Sequence, residues 1–201
     1  MKTLWLSIFF ITLAWSAIDA HDYPTWALEV APAVIGLAVM AWTYNSFRLT
    51  PLLYWLILAH CIVLIVGGHY TYAEVPLFDY IKPVFGWERN NYDKLGHFMQ
   101  GFVPAILARE ILVRKAIVAP GAWRNLFVIS ICLAFSAFYE MLEWWVALAT
   151  GTASEAFLGT QGYIWDTQSD MGMALVGAVV ALLTLSGLHD RQLHRIAGAR
   201  T

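Results

Sequence analysis

The sequence of 201 residues is poor in charged side chains. Asp, Glu, Lys and Arg make up 13% of it, against about 25% in an ordinary soluble domain, whereas 60% is apolar and the mean hydropathy is +0.61. So few charges cannot cover a water-facing surface. The composition also excludes a disordered chain, a coiled coil and a basic nucleic-acid-binding protein. It therefore favours an integral membrane protein that contacts the lipid bilayer.

Cysteine and net charge are also scarce. Cys61 and Cys132 both lie inside apolar runs, which argues against a disulfide framework or a zinc site built on cysteine. The formal net charge is only −2, so no nucleic-acid partner is expected. The sequence has no zincin motif, no Gly-x-Ser-x-Gly elbow and no P-loop, and it lacks the Glu-x-x-His pair of di-iron bundles.

Six apolar blocks indicate six transmembrane helices, since a helix that crosses a bilayer needs about 20 residues. Six such helices leave no room for a soluble domain, so residues 1–201 are predicted to form one all-α transmembrane domain. Residues 69–91 are too polar to span, and we expect an interfacial or re-entrant segment there. Residues 189–201 are predicted to be a short cytoplasmic tail. The predicted helices lie near residues 4–18, 26–44, 52–66, 95–113, 126–149 and 171–188.

The first block allows two interpretations, because Lys2 before it and a short polar segment after it are also features of a signal peptide. A cleavage site needs small residues at positions −3 and −1. Cleavage after Ala20 would place Ile18 at −3, where it does not fit. We therefore interpret the block as a retained first helix. Its removal would leave the orientation of the other five unchanged.

The distribution of lysine and arginine sets the orientation of the six helices. With the N-terminus inside, nine basic residues fall on the inner side and three on the outer side, which predicts an N-in, C-in bundle. The inner residues are Lys2, Arg48, Arg109, Arg114, Lys115, Arg124, Arg191, Arg195 and Arg200, and the outer ones are Lys82, Arg89 and Lys94.

Acidic and imidazole side chains concentrate toward the outer side of this bundle. Ionisable groups inside a membrane are costly, so each one requires an explanation. Glu140 and Glu143 share a face of the fifth helix at a spacing of i, i+3, and Glu140 is far from either helix end. Asp93 and His97 at the outer start of the fourth helix have i, i+4 spacing, and so do Asp166 and Asp170 at the outer start of the sixth. The candidate metal ligands are Asp93, His97, Glu140, Glu143, Asp166 and Asp170.

Several polar residues also have structural interpretations. Asp93 and Asp166 lie where N-capping residues occur. Glu29 and His69 are expected to be solvated at the membrane edge, and His60 to be a hydrogen-bonded core residue. Arg109 and Glu110 are expected to pair with each other at the inner interface. The sequence does not decide between a structural and a functional role for these residues. They are Glu29, His60, His69, Asp93, Arg109, Glu110 and Asp166.

Three segments of this sequence resemble the YjdF family of bacterial inner-membrane proteins, and more distantly VanZ-like membrane proteins. They are YDKLGHFMQG at 92–101, FYEMLEW at 138–144 and FLGTQGYIWDTQSDM at 157–171. The resemblance covers most of the chain from the second helix onward. It implies a polytopic inner-membrane protein and supplies no catalytic residues.

The leading functional hypothesis is a small enzyme that acts on a lipid or amphiphile at the outer leaflet. Glu140 would be a metal ligand or general base, and His97 a ligand or proton shuttle. Carboxylates with one imidazole suit a divalent cation such as Mg, Mn, Fe or Zn, or an acid/base pair without metal.

Two other classes remain open. In a transport or binding protein the same acids would form a proton or cation relay, and polar groups would have to continue toward the inner side. In a structural or assembly protein the acids would only pair with the three outer cations Lys82, Arg89 and Lys94.

Overall fold

The computed structural model describes residues 2–150 and 160–198, and within these ranges the chain is all-helical, without a strand. This confirms the all-α part of the predicted fold class. The described part contains seven α-helices and one 3-10 helix at Tyr72–Glu74. The α-helices are α1 (Lys2–Ser16), α2 (Tyr23–Thr43), α3 (Pro51–Tyr70), α4 (Pro76–Ile81), α5 (Tyr92–Arg114), α6 (Ala122–Thr150) and α7 (Asp166–Gly198).

The long helices are found near the predicted blocks, with some boundaries displaced. Helix α3 continues to Tyr70, and α7 continues to Gly198 through residues predicted as a tail. Residues 69–91 contain the 3-10 helix and α4. Leu77 and Tyr80 of α4 are exposed apolar side chains, which favours the interfacial interpretation. Residues 157–159 of the family motif and Arg200 lie outside the described residues.

Consecutive long helices run in opposite directions, and the bundle has two chemically different ends. At one end, named here the Lys2 end, Trp5 of α1 donates to Tyr54 O of α3 at 2.7 Å, and Arg114 of α5 donates to Arg48 O at 2.7 Å. At the opposite end, the His97 end, the carboxyl end of α3 contacts the carboxyl end of α1, where His69 Nδ1 lies 3.0 Å from Ser16 O.

Helix α5 lies at the centre of the bundle, and glycines bring it unusually close to α7. A Cβ atom on Gly101 would overlap the backbone of Ala174, and one on Gly177 would overlap the backbone of Phe98. Small residues permit this approach between membrane helices, where packing replaces the hydrophobic effect as the driving force. The close contact matters for function because it brings the polar residues of α5 and α7 together.

Four helices are long and apolar enough to cross a membrane by length and composition: α2, α3, α6 and α7. Helix α1 is shorter, with 15 residues. Helix α5 has 23 residues but carries five charged side chains, which lower its hydropathy. It tolerates them because neighbouring helices shield them from lipid. The chain is therefore an all-helical membrane protein with four such spans among its described helices.

Candidate functional site

His97 is the centre of a buried polar cluster between α5, α6 and α7. Its Nε2 atom lies 3.2 Å from Asp93 Oδ1 and 3.9 Å from Asp170 Oδ1. On the other side of the ring, Nδ1 lies 3.1 Å from Gln100 Oε1 and 3.7 Å from Glu140 Oε1. Both ring nitrogens thus face acceptor oxygens, which suits a protonated imidazole, or a cation at one nitrogen and a proton at the other.

Helical spacing explains how the sequence assembles this cluster. Asp93 and His97 lie one turn apart in the first two turns of α5, and Gln100 follows on the same face. Asp170 lies one turn into α7, which the glycine contacts hold against α5. Asp93 is not an N-cap: α5 begins at Tyr92 after Asn91, so Asp93 is inside the helix and contacts His97.

Three of the six predicted ligands can meet around one ion. One ligand atom each from Asp93, His97 and Asp170 lies within 4.8 Å of the others, and all three residues are buried. A divalent ion has bond lengths of about 2.0–2.6 Å, so small side-chain movements would bring all three atoms into coordination distance.

The two cations Arg89 and Lys94 neutralise the α7 side of the cluster. Lys94 Nζ lies 2.7 Å from Asp166 Oδ1 and 2.6 Å from Asp170 Oδ1, and Arg89 Nη1 lies 2.6 Å from Asp166 Oδ1. Asp166 is therefore held by two cations. The third outer cation, Lys82, lies instead near Asp79.

Glu140 has a buried carboxylate oxygen without a hydrogen-bond donor, as Asp93 has at Oδ2. The residue is only 8% exposed, and its Oε1 atom accepts no hydrogen bond from the described residues. Leaving a buried carboxylate oxygen without a donor is unfavourable, so such an oxygen indicates a missing partner. Glu143, one turn further along α6, lines a neighbouring cavity.

That cavity has a volume of about 880 Å³ and lies between α2, α3, α5 and α6. Its polar end is formed by Asp93 and His97 together with Glu29, Glu143, Tyr72 and Tyr139. Its walls toward the Lys2 end are mainly apolar and include Ile35, Val39, Leu107, Phe135 and Phe138. The cavity therefore has a polar end and a long apolar section, as an amphiphilic ligand would require.

Two residues near the cavity differ from their predicted environments. Glu29 was expected at the solvated membrane edge but is only 4% exposed, because α2 packs it toward α3 and the cavity. Its Oε2 atom accepts a hydrogen bond of 3.5 Å from Tyr139. His60 was expected to be hydrogen-bonded, but its buried Nε2 has no partner among the described residues, because α3 directs it toward the cavity.

His69 and the pair Arg109–Glu110 also lie outside this site. His69 is half-buried, not fully solvated, because its ring lies 4.4 Å from that of Trp15. The predicted pairing of Arg109 with Glu110 is wrong, because neighbouring residues of a helix point in different directions. Instead His189 lies between them: Arg109 Nη1 is 3.0 Å from His189 Nδ1, and His189 Nε2 is 3.1 Å from Glu110 Oε2.

The buried polar residues at the Lys2 end form a hydrogen-bonded network, in which Arg109 Nε and Arg114 Nη2 have no partner among the described residues. An arginine can only donate, so Nδ1 of His189 accepts from Arg109 and Nε2 donates to Glu110. Glu110 also accepts from Thr50 Oγ1 and Arg114 Nη1, both at 2.7 Å. The network joins the N-terminus of α3 to α5 and α7, so we interpret it as a structural anchor.

The fold and the two polar centres define a polytopic helical membrane protein with a carboxylate–histidine cluster beside an amphipathic cavity. The chain belongs to the family described as "Predicted membrane protein (DUF2238)", whose model matches residues 1–191. It is 50% identical over 185 residues to "Inner membrane protein YjdF" of Escherichia coli (strain K12), which covers 92% of this chain and 88% of that relative.

The comparison confirms the family resemblance seen in the sequence, and it identifies the chain as an inner-membrane protein. No solved structure matches the chain. Sequence reasoning found the cluster from its one-sided charge placement, but it missed the burial of Glu29 and the cavity. The signal available for Glu29 was its position in an apolar helix, which made an intramembrane acid costly.

Proposed function

We propose that this protein is an enzyme that acts on a lipid or other amphiphile at the outer leaflet of the inner membrane. The observation that carries the proposal is the continuity between the His97 cluster and the cavity of about 880 Å³. Asp93 and His97 belong to both. A substrate with its polar group at His97 would have its apolar chain along the walls formed by α2 and α6.

The proposal includes the six-helix, N-in and C-in topology predicted from the charges. Six helices of the described chain, α1, α2, α3, α5, α6 and α7, alternate in direction along the bundle. With the Lys2 end on the inner side, the anchor containing Arg109 and Arg114 lies there, and the His97 end lies at the outer leaflet. The short helix α4 would then lie along the outer interface.

The proposed metal version assigns Asp93, His97 and Asp170 as ligands of one divalent cation. Coordination by His97 Nε2 would leave Nδ1–H to donate toward Gln100 and Glu140, an arrangement that commonly fixes a ligating imidazole. Asp170 would bind the ion instead of Lys94, and Lys94 would retain its ion pair with Asp166. A bound ion would polarise an ester or phosphoryl oxygen or lower the pKa of a bound water.

The proposed metal-free version uses the same residues as acids and bases. Asp93 would hold the imidazole of His97 in position at 3.2 Å, and His97 would take or give the proton at the reacting group. Glu140 would be the general base. In either version Glu143 would face the substrate from the cavity wall, and Asp166 would keep Arg89 and Lys94 in place.

Electrostatics at the polar end of the cavity narrow the head groups that fit. Glu29, Asp93 and Glu143 line this end, whereas the nearby Arg89 and Lys94 are directed toward the carboxylates of α7. An anionic phosphate would be repelled unless a divalent cation bridged it to the protein. An anionic substrate therefore requires the metal version, whereas a neutral or cationic head group does not.

Metal binding can be tested on purified protein in detergent with Mn²⁺ as the probe. We expect the protein to bind one equivalent, and His97→Gln and Asp170→Asn to weaken binding at least tenfold, since each removes a ligand. Glu88→Gln is the matched control, because it removes an exposed acid that is not one of the cluster carboxylates. A correctly folded, metal-free protein that does not bind Mn²⁺, Mg²⁺, Fe²⁺ or Zn²⁺ would exclude the metal version.

Catalysis can be tested with proteoliposomes made from bacterial inner-membrane lipids. Mass spectrometry before and after incubation should detect a lipid converted by the protein but not by His97→Gln or Glu140→Gln. Gly36→Leu should also lose the conversion, because Gly36 lines the cavity and a side chain there meets open space. Gly187→Leu is the control for Gly36→Leu, because a side chain at Gly187 also meets open space but Gly187 does not line the cavity. Conversion that persists in all three variants would refute the proposal.

A specific observation keeps transport as the second candidate function. The cavity lining extends from Glu29 to Thr43 on α2, which is about 21 Å at 1.5 Å per residue, and it also includes Lys115 near the Lys2 end. This length exceeds one leaflet of about 15 Å, half of a core of about 30 Å. Apart from His60 its middle is apolar, so the route would suit an amphiphile rather than an ion. Protein-dependent movement of a fluorescent lipid between leaflets, without conversion, would favour transport.

A further inference from the structure

A second cavity, of about 560 Å³, lies at the Lys2 end between α1, α2 and α3. It is separate from the His97 cluster. Its wall toward the membrane centre is apolar and contains Leu6, Leu37 and Met40, whereas its rim carries Lys2 and Arg48. The combination of an apolar wall and a cationic rim matches a phospholipid, whose acyl chains and head group have the same arrangement.

The two rim cations converge on one aromatic ring. Lys2 Nζ lies 4.7 Å from the ring centroid of Tyr44, and Arg48 Cζ lies 5.4 Å from it. Cations that were merely solvated at an interface would extend away from each other into water. Here both long side chains are directed over Tyr44, which itself lines the cavity, so their positive charges add at one place.

The carboxylates near this rim are already engaged elsewhere. Glu110 accepts from Thr50, Arg114 and His189, and Asp190 pairs with Arg109 at 2.8 Å. Within residues 2–150 and 160–198, neither rim cation has a carboxylate within salt-bridge distance. The rim therefore presents two positive charges without a protein counter-ion, beside an apolar wall.

We propose that this cavity binds an anionic phospholipid, with its phosphodiester between Lys2 and Arg48 and an acyl chain along Leu6 and Met40. A zwitterionic lipid fits less well because its own ammonium group offsets the phosphate. Basic pockets between transmembrane helices recognise anionic head groups in this way, at about 1 kcal/mol for each cation. The proposed head-group site is distinct from the His97 cluster, because Lys2 and Arg48 lie at the Lys2 end and His97 lies at the other end; the two cavities share Met40 in their apolar walls.

The test uses purified protein in a neutral detergent and phosphatidylglycerol as the probe, with bound lipid counted by native mass spectrometry. We expect one phosphatidylglycerol to bind in preference to phosphatidylcholine with the same acyl chains. Lys2→Gln and Arg48→Gln should each weaken binding about fivefold, and the double variant about 30-fold. Lys2→Arg keeps the charge and should keep the binding.

The control variant is Lys82→Gln, which removes a cation near the other end of the bundle and should not change lipid binding. Equal affinity for both lipids, or unchanged affinity in the double variant, would overturn the proposal. Inorganic phosphate that displaced the lipid at millimolar concentration would also overturn it, because a lipid site depends on the apolar wall as well as on the phosphate. A melting temperature of the double variant equal to that of the wild type would show that its folding is intact.

Discussion

Replacing Glu110 with glutamine should destabilise the folded protein by about 4 kcal/mol. The carboxylate is fully buried, and four donors face it: Thr50 N, Thr50 Oγ1, Arg114 Nη1 and His189 Nε2. A glutamine of the same shape has one oxygen, which can accept two of these hydrogen bonds. Its NH₂ group would face the other two donors.

The magnitude follows from those two donors. Each buried donor without an acceptor costs about 1–3 kcal/mol, so the substitution should cost about 2–6 kcal/mol. Breaking a buried ion pair by removal of one partner costs about 3–5 kcal/mol, which agrees with this range. For a chain of this length, each kcal/mol lowers the melting temperature by about 2–4 °C. A loss of about 4 kcal/mol therefore predicts a decrease of roughly 8–16 °C.

The assay is thermal unfolding in one detergent, followed by tryptophan fluorescence. Glu88→Gln is the matched control, because Glu88 is exposed and its substitution removes the same charge. A decrease for Glu110→Gln no larger than that of the control would show that the Lys2-end network does not anchor α3, α5 and α7. The inference from its hydrogen bonds would then be refuted.

Two further substitutions test helix packing and capping. Gly177→Ala should destabilise the folded protein by about 1–3 kcal/mol, because the added Cβ would overlap the backbone of α5. Gly172→Ala on the same helix is the control, because its Cβ meets open space and the change should be neutral or stabilising. Equal melting temperatures of the two variants would contradict the close approach of α5 and α7. Asp22→Ala should cost about 1 kcal/mol by removing the cap of α2. Hydrogen bonds from Thr25 lower the pKa of Asp22 below its ordinary value of 3.8, so this stabilisation should hold at neutral pH and be lost as the pH falls below that value. The difference between wild type and Asp22→Ala should therefore shrink in acid, and a constant difference would argue against the cap.

The sequence predicted the helices and the gathering of polar residues at one end of the bundle, because both depend on local patterns. Hydropathy and helical spacing indicate which residues share a face, as for Asp93 and His97. They do not give the rotation of one helix against another. The pairing of Lys94 with Asp170 depends on the approach of α5 to α7 at Gly101 and Gly177, which no local pattern specifies.

The same limit explains the residues whose environments were predicted wrongly. Glu29 lies near the end of an apolar helix, and only the packing of α2 against α3 decides whether it meets water or the protein interior. Arg109 and Glu110 are adjacent in sequence, which suggested a pair. Their real partners, His189 and Asp190, are about 80 residues away in sequence, with separations of 79 and 81.

The central position of α5 has a consequence for how the protein enters the membrane. Charged groups such as Lys94 and Arg109 cost about 2.5–3.5 kcal/mol each at the centre of a lone inserting helix, and less near its ends. Their partners Asp170 and Asp190 both belong to α7, which is synthesised after α5. Helix α5 therefore leaves the ribosome before these two counter-charges exist. We therefore expect the stable insertion of α5 to depend on the synthesis of α7, so a truncation before α7 should leave α5 poorly inserted and exposed to membrane proteases.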